Sequence, residues 1–230
     1  MKGNDPVDSR SSYSEAMQAS YAAKVRRAHL AREIIEVVLL IGIIVVAIKL
    51  GVESFGLSDK STSMSPALNP NQNVIVSKLS YFFGSPQRGD VIVYEDPLHT
   101  SDASAQRIQR IIGIPGDTIV INPSSVTVNG HTLVEPYAIV TTSQATGLSQ
   151  KLGKDQYFVM NDNRSGCNTS INVSGCFDDS RNPAALGVDT NKTTGGSLDR
   201  KYIVGKVVFV YWPLNKMHGV DTFPDTYKGL

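Results

Sequence analysis

The chain has 230 residues, which is enough for one large domain or two small ones. Lys and Arg number 22 against 21 Asp and Glu, so the formal net charge is only +1. A chain this close to neutrality has no global attraction for polyanions, which argues against nucleic-acid partners. Hydrophobic residues make up 41% of the sequence, and much of this share is concentrated between Ile34 and Leu50.

The N-terminal region, residues 1–32, is polar and begins with a Ser-rich stretch. Its first twenty or so residues have too little apolar content to offset the entropy lost on ordering a chain. We therefore predict a loose tail. Four basic residues close this region, namely Lys24, Arg26, Arg27 and Arg32.

An uncharged apolar run extends from Val37 to Ile48. A bilayer span needs roughly 20 mainly apolar residues, or about 17 at the short end. The run reaches that length if the side chains of Glu36 and Lys49 extend back to the membrane interfaces. A buried core helix is the alternative. Basic residues beside a span stay in the cytoplasm. We predict one retained transmembrane helix within residues 33–57, embedded in membrane lipid, with the N-terminus cytoplasmic and residues 58–230 outside the cytoplasm.

Short β-type runs follow, separated by turn residues, and this spacing predicts a mainly β, antiparallel domain. Asn129-Gly130 stands between alternating residues and predicts a hairpin, because this pair favours the tight turns that join two strands. The composition from Arg164 to Ser197 predicts loops. The predicted strands are Asn73–Ser77, Asp90–Tyr94, Arg107–Ile112, Asp117–Ile121, Val126–Val128, Tyr157–Met160 and Tyr202–Tyr211.

The sequence contains 2 Cys, Cys167 and Cys176, both on the side predicted to lie outside the cytoplasm. Disulfides form and persist there. We predict a bridge between them, which stabilises by about 2–3 kcal/mol in the chain-entropy description. A zinc site is the alternative, but two Cys without a nearby His do not supply four ligands. No metal or organic cofactor is implied.

A hydroxyl-rich stretch, Ser61-Thr62-Ser63-Met64-Ser65-Pro66, lies a few residues beyond the predicted anchor. Hydroxyl groups near Pro usually belong to turns and bond the local backbone. A Ser nucleophile needs a neighbouring base and donors for an oxyanion, and neither is visible within this stretch. The stretch alone does not establish an active site.

Seven sequence motifs after the apolar run occur in a distinctive order. They are SMSPAL at Ser63–Leu68, RGDVIVY at Arg88–Tyr94, QRIIGIPGD at Gln109–Asp117, EPY at Glu135–Tyr137, YFVMNDNR at Tyr157–Arg164, DDSR at Asp178–Arg181 and VGKVVFVYWP at Val204–Pro213. In number and order they resemble the bacterial signal peptidase I family. The resemblance implies an antiparallel β domain of that type behind one transmembrane helix. It also implies a membrane-bound serine endopeptidase that removes signal peptides from exported preproteins after small-x-small sites.

The resemblance also assigns roles to individual residues. Ser63 corresponds to the nucleophile, and Ser65 has no role. Ser61 corresponds to a hydroxyl that binds the oxyanion together with the backbone N–H of Ser63, which are donors placed where charge develops. The substrate strand is expected beside the strand of Ile108. The residues expected to support the site are Arg110, Asp162, Arg164, Asp179, Ser180 and Arg181, with plain structural ion pairing as the alternative.

Gln109 occupies the position at which the family has its Lys base. A neutral amide has no useful basicity near pH 7, so Gln109 can hydrogen-bond Ser63 but cannot deprotonate it. Arg does not lose its proton in a protein, which excludes Arg107 and Arg110 as substitutes. Three readings stay open: a catalytically silent homologue that acts as a peptide-binding or assembly factor, a Lys-to-Gln variant of an active enzyme, and an enzyme with another base. The candidates for that base are Lys60, Lys78 and His99.

A second departure is Asn161, which stands where the family's GDNR box has Gly. If that Gly has a positive φ or lets the backbone approach closely, Asn is the least disruptive substitute. The Ser expected a few residues before the DSR box is obscured by the Cys167–Cys176 segment. Its possible substitutes are Ser165, Ser170 and Ser174.

Overall fold

The computed structural model of the chain describes residues 9–58, 61–97, 106–122, 124–140, 148–165, 180–181 and 196–230. The chain forms two units, Met1–Leu50 and Gly51–Leu230. The described part of the first unit is a single helix, α1 (Ser9–Gly51). The second unit is built from β-strands.

The helix corrects the prediction of a loose tail, because α1 already begins at Ser9 and continues through the basic cluster. Residues 13–33 are rich in Ala, Glu, Met, Gln, Lys and Arg, all of which have high intrinsic helix propensity. Low apolar content argues against a packed core but does not prevent a helix.

The predicted transmembrane helix is not confirmed. In the described part of the chain, no helix is long and apolar enough to cross a membrane. The apolar side chains from Ile34 to Val46 that the structure describes are nevertheless exposed on α1.

The larger of the two sheets in the second unit contains eight described strands. Their order is β1-β2-β11-β3-β4-β9-β10, with β12 paired to β11, and every pairing is antiparallel. The strands are β1 (Val52–Gly56), β2 (Asn73–Ser77), β3 (Val91–Glu95), β4 (Gln106–Gly113), β9 (Gln156–Met160), β10 (Leu198–Asp199), β11 (Ile203–Trp212) and β12 (His218–Gly219).

A smaller antiparallel sheet has four described strands in the order β7-β6-β5-β8. It consists of β5 (Thr118–Ile121), β6 (Val126–Val128), β7 (His131–Thr132) and β8 (Leu148–Lys151). The predicted hairpin is present, since β6 and β7 pair and Asn129 and Gly130 between them have φ values of 52° and 84°. Both values are typical of the turn that this pair of residues favours.

The prediction of a mainly β, antiparallel body is confirmed. Each of the seven predicted runs overlaps an observed strand, and β2 and β6 have the predicted bounds. The strand β1 corrects the assignment of residues 33–57 to anchor and linker, because Val52–Gly56 pairs with β2. Its last residue, Gly56, lies opposite Asn73, and residues 57–60 separate it from the hydroxyl-rich stretch.

Strand alternation gives the centre of the larger sheet two different faces. One face contributes Val91, Val93 and Ile108 to a buried cluster that also contains Met64 and Leu68. The opposite face contributes Ile92, Tyr94, Ile111 and Val159 to a second buried cluster. Gln109 lies opposite Ile92 in the β3–β4 register and therefore belongs to this second face.

Candidate functional site

Ser63 lies in a turn that is fixed from two directions. The next side chain, Met64, is buried in the same cluster as Val93 and Ile108 and so packs the turn against the start of β4. On the other side, the backbone N–H of Asn163 donates to the Ser63 carbonyl at 2.9 Å. Ser63 itself is only partly buried. This combination of a fixed backbone and a reachable side chain is what a nucleophile requires.

The Asn163 side chain adds a second link, because its Nδ2 donates to the Thr62 carbonyl at 3.1 Å. Within the described ranges, the backbone N–H of Ser63 makes no backbone hydrogen bond. Ser61 is partly buried two residues earlier, and its own N–H donates to the Ser58 carbonyl at 3.1 Å. The turn therefore holds the hydroxyl of Ser61 and the N–H of Ser63 in one short segment.

Ser65 has local partners. Its hydroxyl donates to the Leu68 carbonyl at 3.3 Å and to Oδ1 of Asn69 at 3.2 Å. These bonds are typical of a hydroxyl group that stabilises a turn. That Ser65 takes no part in chemistry stays a prediction.

Gln109 is buried, with 1% of its surface exposed, and two of its partners are neutral groups. The Tyr94 hydroxyl donates to its Oε1 at 2.7 Å, and its Nε2 donates to Oδ1 of Asn161 at 3.2 Å. Both side-chain atoms thus have partners other than Ser63. The sequence suggested a Gln109–Ser63 hydrogen bond, and none is found between these two described residues.

Asn161 does not have a positive φ, because the described residues outside glycine that do are Asn71, Asn129, Asp155 and Phe223. Its side chain is 1% exposed and contacts Gln109. The relevant property of Asn161 is therefore its amide and not its tolerance of a left-handed backbone.

Among the candidates for another base, Lys78 is far from the turn. Its Nζ pairs with Oε2 of Glu53 at 2.8 Å, close to the point where Val52 and Ser77 lie opposite each other. The turn follows Gly56, at the other end of β1, and five strand residues cover about 13 Å or more. Lys60 and His99 lie outside the described residues.

Arg110 points to the face opposite Gln109 and is fully buried. Its Nε and Nη2 donate to the two carboxylate oxygens of Asp162 at 2.9 and 2.7 Å. Its Nη1 donates to the carbonyls of Gly89 and Asp221 at 2.8 Å each. Burial alone lowers the pKa of Arg110, but the hydrogen bonds and charge of Asp162 outweigh burial and leave the pKa raised. The guanidinium stays charged, as this fork geometry requires.

Arg164 forms a second buried fork. Its Nη1 and Nη2 donate to Glu135 at 2.8 and 2.7 Å, and its Nε donates to the Asn161 carbonyl at 3.0 Å. The Tyr137 hydroxyl donates to the same carboxylate at 2.9 Å, and burial raises the pKa of Tyr137, which keeps that proton in place. The two forks hold residues 161–164 in position, and this segment in turn holds the Ser63 turn.

The DSR box is only partly described. Ser180 is fully buried and bonds Val159 twice, because its Oγ accepts from the Val159 N–H and its own N–H donates to the Val159 carbonyl. Arg181 is also buried, at 3% exposed. Asp179 lies outside the described residues, as do Ser170 and Ser174.

Ser165 donates to Oδ1 of Asn163 through both its N–H and its hydroxyl. Cys167 and Cys176 lie outside the described residues, so the predicted disulfide is not supported by the structure and stays a prediction. Within the described ranges, no three His, Cys, Asp or Glu side chains are grouped as metal ligands.

Sequence reasoning missed three contributors to this site. It quoted the motifs that contain Tyr94, Glu135 and Asn163 without assigning them contacts. Tyr94 and Glu135 are 15 and 29 residues from their partners in sequence, and only the folded chain brings them together. The usable signal was the polar side chain within each motif, because an acceptor or donor that becomes buried must find a partner.

The chain belongs to the family described as signal peptidase, peptidase S26, which matches residues 31–212. It is 30% identical over 183 residues to signal peptidase I of Leptolyngbya laminosa, covering 75% of this chain and 77% of that protein. It is 28% identical over 171 residues to signal peptidase I of Bacillus licheniformis, covering 70% of this chain and 78% of that protein.

A third relative is the probable signal peptidase I-2 of a Synechocystis species, which is 38% identical over 106 residues, covering 45% of this chain and 48% of that protein. Among solved structures, signal peptidase I from Enterococcus faecalis V583 has a TM-score of 0.37 and 20% identity, covering 54% of this chain and 97% of that one. The family assignment rests on the sequence matches.

Proposed function

We propose that this chain acts on the signal peptides of exported preproteins as a serine endopeptidase that cleaves after small-x-small sites. The observation that carries the proposal is the placement of Ser63. It is partly exposed in a turn that Met64 fixes to the core and that Asn163 holds at 2.9 Å. Membership of the signal peptidase family supplies the substrate class.

In this proposal Ser63 attacks the scissile carbonyl, and the hydroxyl of Ser61 and the N–H of Ser63 stabilise the oxyanion. The substrate adds as a strand beside the first half of β4, which contains Ile108. In the described ranges, Gln106–Gln109 pairs with β3 only, since the β4–β9 ladder starts at Arg110. An extended substrate bound in this way would gain affinity from main-chain hydrogen bonds to β4.

The proposal does not assign the group that accepts the proton of the Ser63 hydroxyl. Gln109 does not supply it, and its two described partners are also neutral. Lys60 and His99 are the candidates that remain outside the described residues. The uncharged amide of Gln109 favours a second candidate function, in which the chain binds signal peptides without cleaving them and acts as a peptide-binding or assembly factor.

The deciding experiment measures cleavage of a preprotein by the detergent-solubilised full chain. The variants are Ser63→Ala, Gln109→Lys and the double variant Gln109→Lys/Ser63→Ala. Ser65→Ala is the matched control, because it removes a hydroxyl two residues away that is engaged within the turn.

Cleavage by the unmodified chain that disappears with Ser63→Ala and survives Ser65→Ala supports the peptidase. General bases typically contribute about 10²–10⁴-fold, so Gln109→Lys should raise the rate clearly, and adding Ser63→Ala should remove the gain. If the unmodified chain binds the preprotein but does not cleave it, the binding function replaces the peptidase.

Membrane binding is a further part of the proposal. The exposed apolar side chains from Ile34 to Val46 support it, because contiguous apolar surface of this kind marks interaction sites. Such a location places the chain where preproteins carry their signal peptides.

A further inference from the structure

The C-terminal segment, residues 221–230, packs against both the smaller sheet and the buried charges of the site. Tyr227 is buried in the cluster that contains the apolar side chains of β5 and β6. The hydroxyls of Tyr227 and Tyr137 share a hydrogen bond at 2.6 Å, and the Thr226 hydroxyl donates to the Val134 carbonyl at 2.9 Å. The segment is therefore anchored where it lies on the smaller sheet.

The start of this segment contacts Arg110 directly. The Asp221 carbonyl accepts from Nη1 of Arg110 at 2.8 Å, and the same Nη1 donates to the Gly89 carbonyl at 2.8 Å. Gly89 has a positive φ of 86°, and a Cβ at this position would overlap the carbonyl oxygen of Thr222. The glycine of the RGDVIVY motif thus leaves room for the C-terminal segment.

Phe223 lies over the same guanidinium group. The centre of its ring is 5.3 Å from Cζ of Arg110, and the centre of the Tyr137 ring is 4.3 Å from that atom. The two ring centres are 5.0 Å apart. An aromatic face attracts a cation, and the attraction is larger where water is excluded. Because Arg110 is fully buried, the Phe223 ring both contacts this charge and helps to keep water from it.

The backbone at Phe223 has a conformation that Phe rarely adopts. Its φ and ψ are 48° and 59°, which lie in the left-handed region. Pro224 disfavours the right-handed helical conformation at the residue before it, and Oδ1 of Asp221 accepts from the Phe223 N–H at 2.7 Å. A bulky residue is strained in the left-handed region, and such strain persists only where the surroundings fix it. The contacts of the ring with Arg110 and Tyr137 are contacts of this kind.

We propose that Phe223 is a positioning residue for Ser63 that acts through Arg110. Its ring holds the guanidinium on the Asp162 carboxylate, at 2.7 Å from Nη2 to Oδ2. The next residue, Asn163, donates its N–H to the Ser63 carbonyl at 2.9 Å. Without the ring, water reaches the ion pair and weakens its attraction, because the effective dielectric constant rises. The inference rests on the proposed function for its consequence in catalysis, whereas its effect on the turn does not depend on cleavage.

Hydrogen exchange of the Asn163 amide in the full chain measures the bond to Ser63. Phe223→Gly removes the ring and also relieves the strained backbone, so any loss of protection comes from the missing ring. Exchange at Asn163 should become about tenfold faster. Phe223→Asn also lacks the ring and tolerates the left-handed region, and it should have the same effect. The Lys78 amide, which donates to the Gly51 carbonyl at the other end of β2, is the internal reference and should be unchanged.

Two control variants separate the ring from the backbone. Phe223→Tyr keeps an aromatic ring, and Asp155→Gly relieves another left-handed backbone, with a φ of 60°, in the turn before β9. Both should leave exchange at Asn163 within about twofold of the unmodified chain. Unchanged exchange at Asn163 in Phe223→Gly would overturn the proposal. Equal acceleration at Asn163 and Lys78 would also overturn it, because that pattern indicates general destabilisation.

The activity test measures kcat and KM for a preprotein in the full chain, or in Gln109→Lys if only that variant cleaves. Phe223→Gly should lower kcat by about tenfold, because the displaced turn carries the nucleophile. KM should stay within about twofold, because the pairing of β3 with β4 beside the proposed substrate strand is unchanged. Phe223→Tyr should retain the original kcat.

Unchanged kcat together with faster exchange at Asn163 would overturn the positioning role. If no variant cleaves but the chain binds the preprotein, the peptidase function fails. Exchange at Asn163 then still decides whether Phe223 holds the turn.

Discussion

At the scale of single residues, Asn163 connects the buried charge network to the turn that carries Ser63. Its backbone N–H donates to Ser63 and its side chain donates to Thr62, while its Oδ1 accepts from Ser165. The next residue, Arg164, is held by Glu135. The position of the turn therefore depends on a side-chain amide that has no charge of its own.

Asn163→Ala removes the side-chain link and should destabilise the folded chain by about 1 kcal/mol. The backbone bond to Ser63 remains, so the loss should be local. Hydrogen exchange of the amides from Ser63 to Ser65 should become faster. Asn122→Ala is the control, because it removes side-chain bonds to Ser125 and Thr127 in the smaller sheet, and exchange at the turn should then be unchanged.

The site was predictable from the sequence only in part. That Gln109 has no useful basicity follows from the chemistry of an amide and needed no coordinates. Its partners Tyr94 and Asn161 were not predictable, because strand register decides which distant residues become neighbours. Of the two conditions considered for Asn161, a positive φ is not found, and a close approach of the backbone stays a prediction.

At the scale of elements, the turn before β5 is held by one carboxylate. Asp117 accepts from Nε and Nη2 of Arg88 at 2.8 and 2.6 Å, from the Ile114 N–H at 2.9 Å and from Nδ2 of Asn129 at 2.9 Å. Burial alone raises the pKa of Asp117, but these bonds together lower it below its usual value. The carboxylate thus joins the strand β5 to the hairpin turn and to the start of β3.

This lowered pKa predicts an acid-sensitive contribution to stability. A carboxyl group whose pKa is lower in the folded state stabilises fully above its unfolded pKa of about 3.9, and the contribution disappears as the pH falls through the folded pKa. The free energy of unfolding should therefore decrease below about pH 4, and Asp117→Asn should reduce this decrease. Urea titrations across that range measure it, with the exposed Asp225→Asn as the control. Equal pH dependence in both variants would count against Asp117.

The hairpin turn allows a test of backbone conformation alone. A Cβ added to Gly130 or to Gly219 contacts nothing within 4 Å, but only Gly130 has a positive φ, of 84°. Gly130→Ala should destabilise by about 1–2 kcal/mol, because an L-residue is strained in that region. Gly219→Ala should have a much smaller effect in the same thermal or urea unfolding experiment. Equal effects would show that the turn tolerates a different geometry.

Strand length and the alternation of apolar residues explain which strands were predictable from the sequence. Alternating runs such as NVIVS and VTV predicted β2 and β6 with their observed bounds. The strands β7, β10 and β12 have two residues each, which is too short for any periodic pattern. The sequence of β1, VESFG, was assigned to the linker because the apolar run before it dominated that region. Pairing with β2, and not its own pattern, makes it a strand.

At the scale of the whole molecule, the oxidation state of the two Cys indicates the compartment in which the β unit lies. If Cys167 and Cys176 face an oxidising environment, they should form a bridge. Thiol alkylation of the unfolded, non-reduced protein should then label neither, and mass spectrometry after proteolysis should find one linked peptide pair. Two freely labelled thiols in exported protein would refute the bridge.

The orientation that we propose at the membrane rests on the charge around the apolar part of α1. Lys24, Arg26, Arg27 and Arg32 all precede this segment, and basic residues beside a membrane-bound segment remain on the cytoplasmic side. We therefore expect the full chain to sediment with membranes and to resist extraction at high salt, because apolar contact is not screened by ions. Protease added outside intact cells should digest the unit from Gly51 to Leu230 and spare the N-terminal segment. Replacing the four basic residues with Gln should weaken this orientation, whereas the same replacement at the exposed Lys151, Lys154, Lys216 and Lys228 of the β unit should not. Complete protection of the β unit in intact cells would reverse the proposed orientation, and release of the chain by salt alone would contradict apolar attachment through α1.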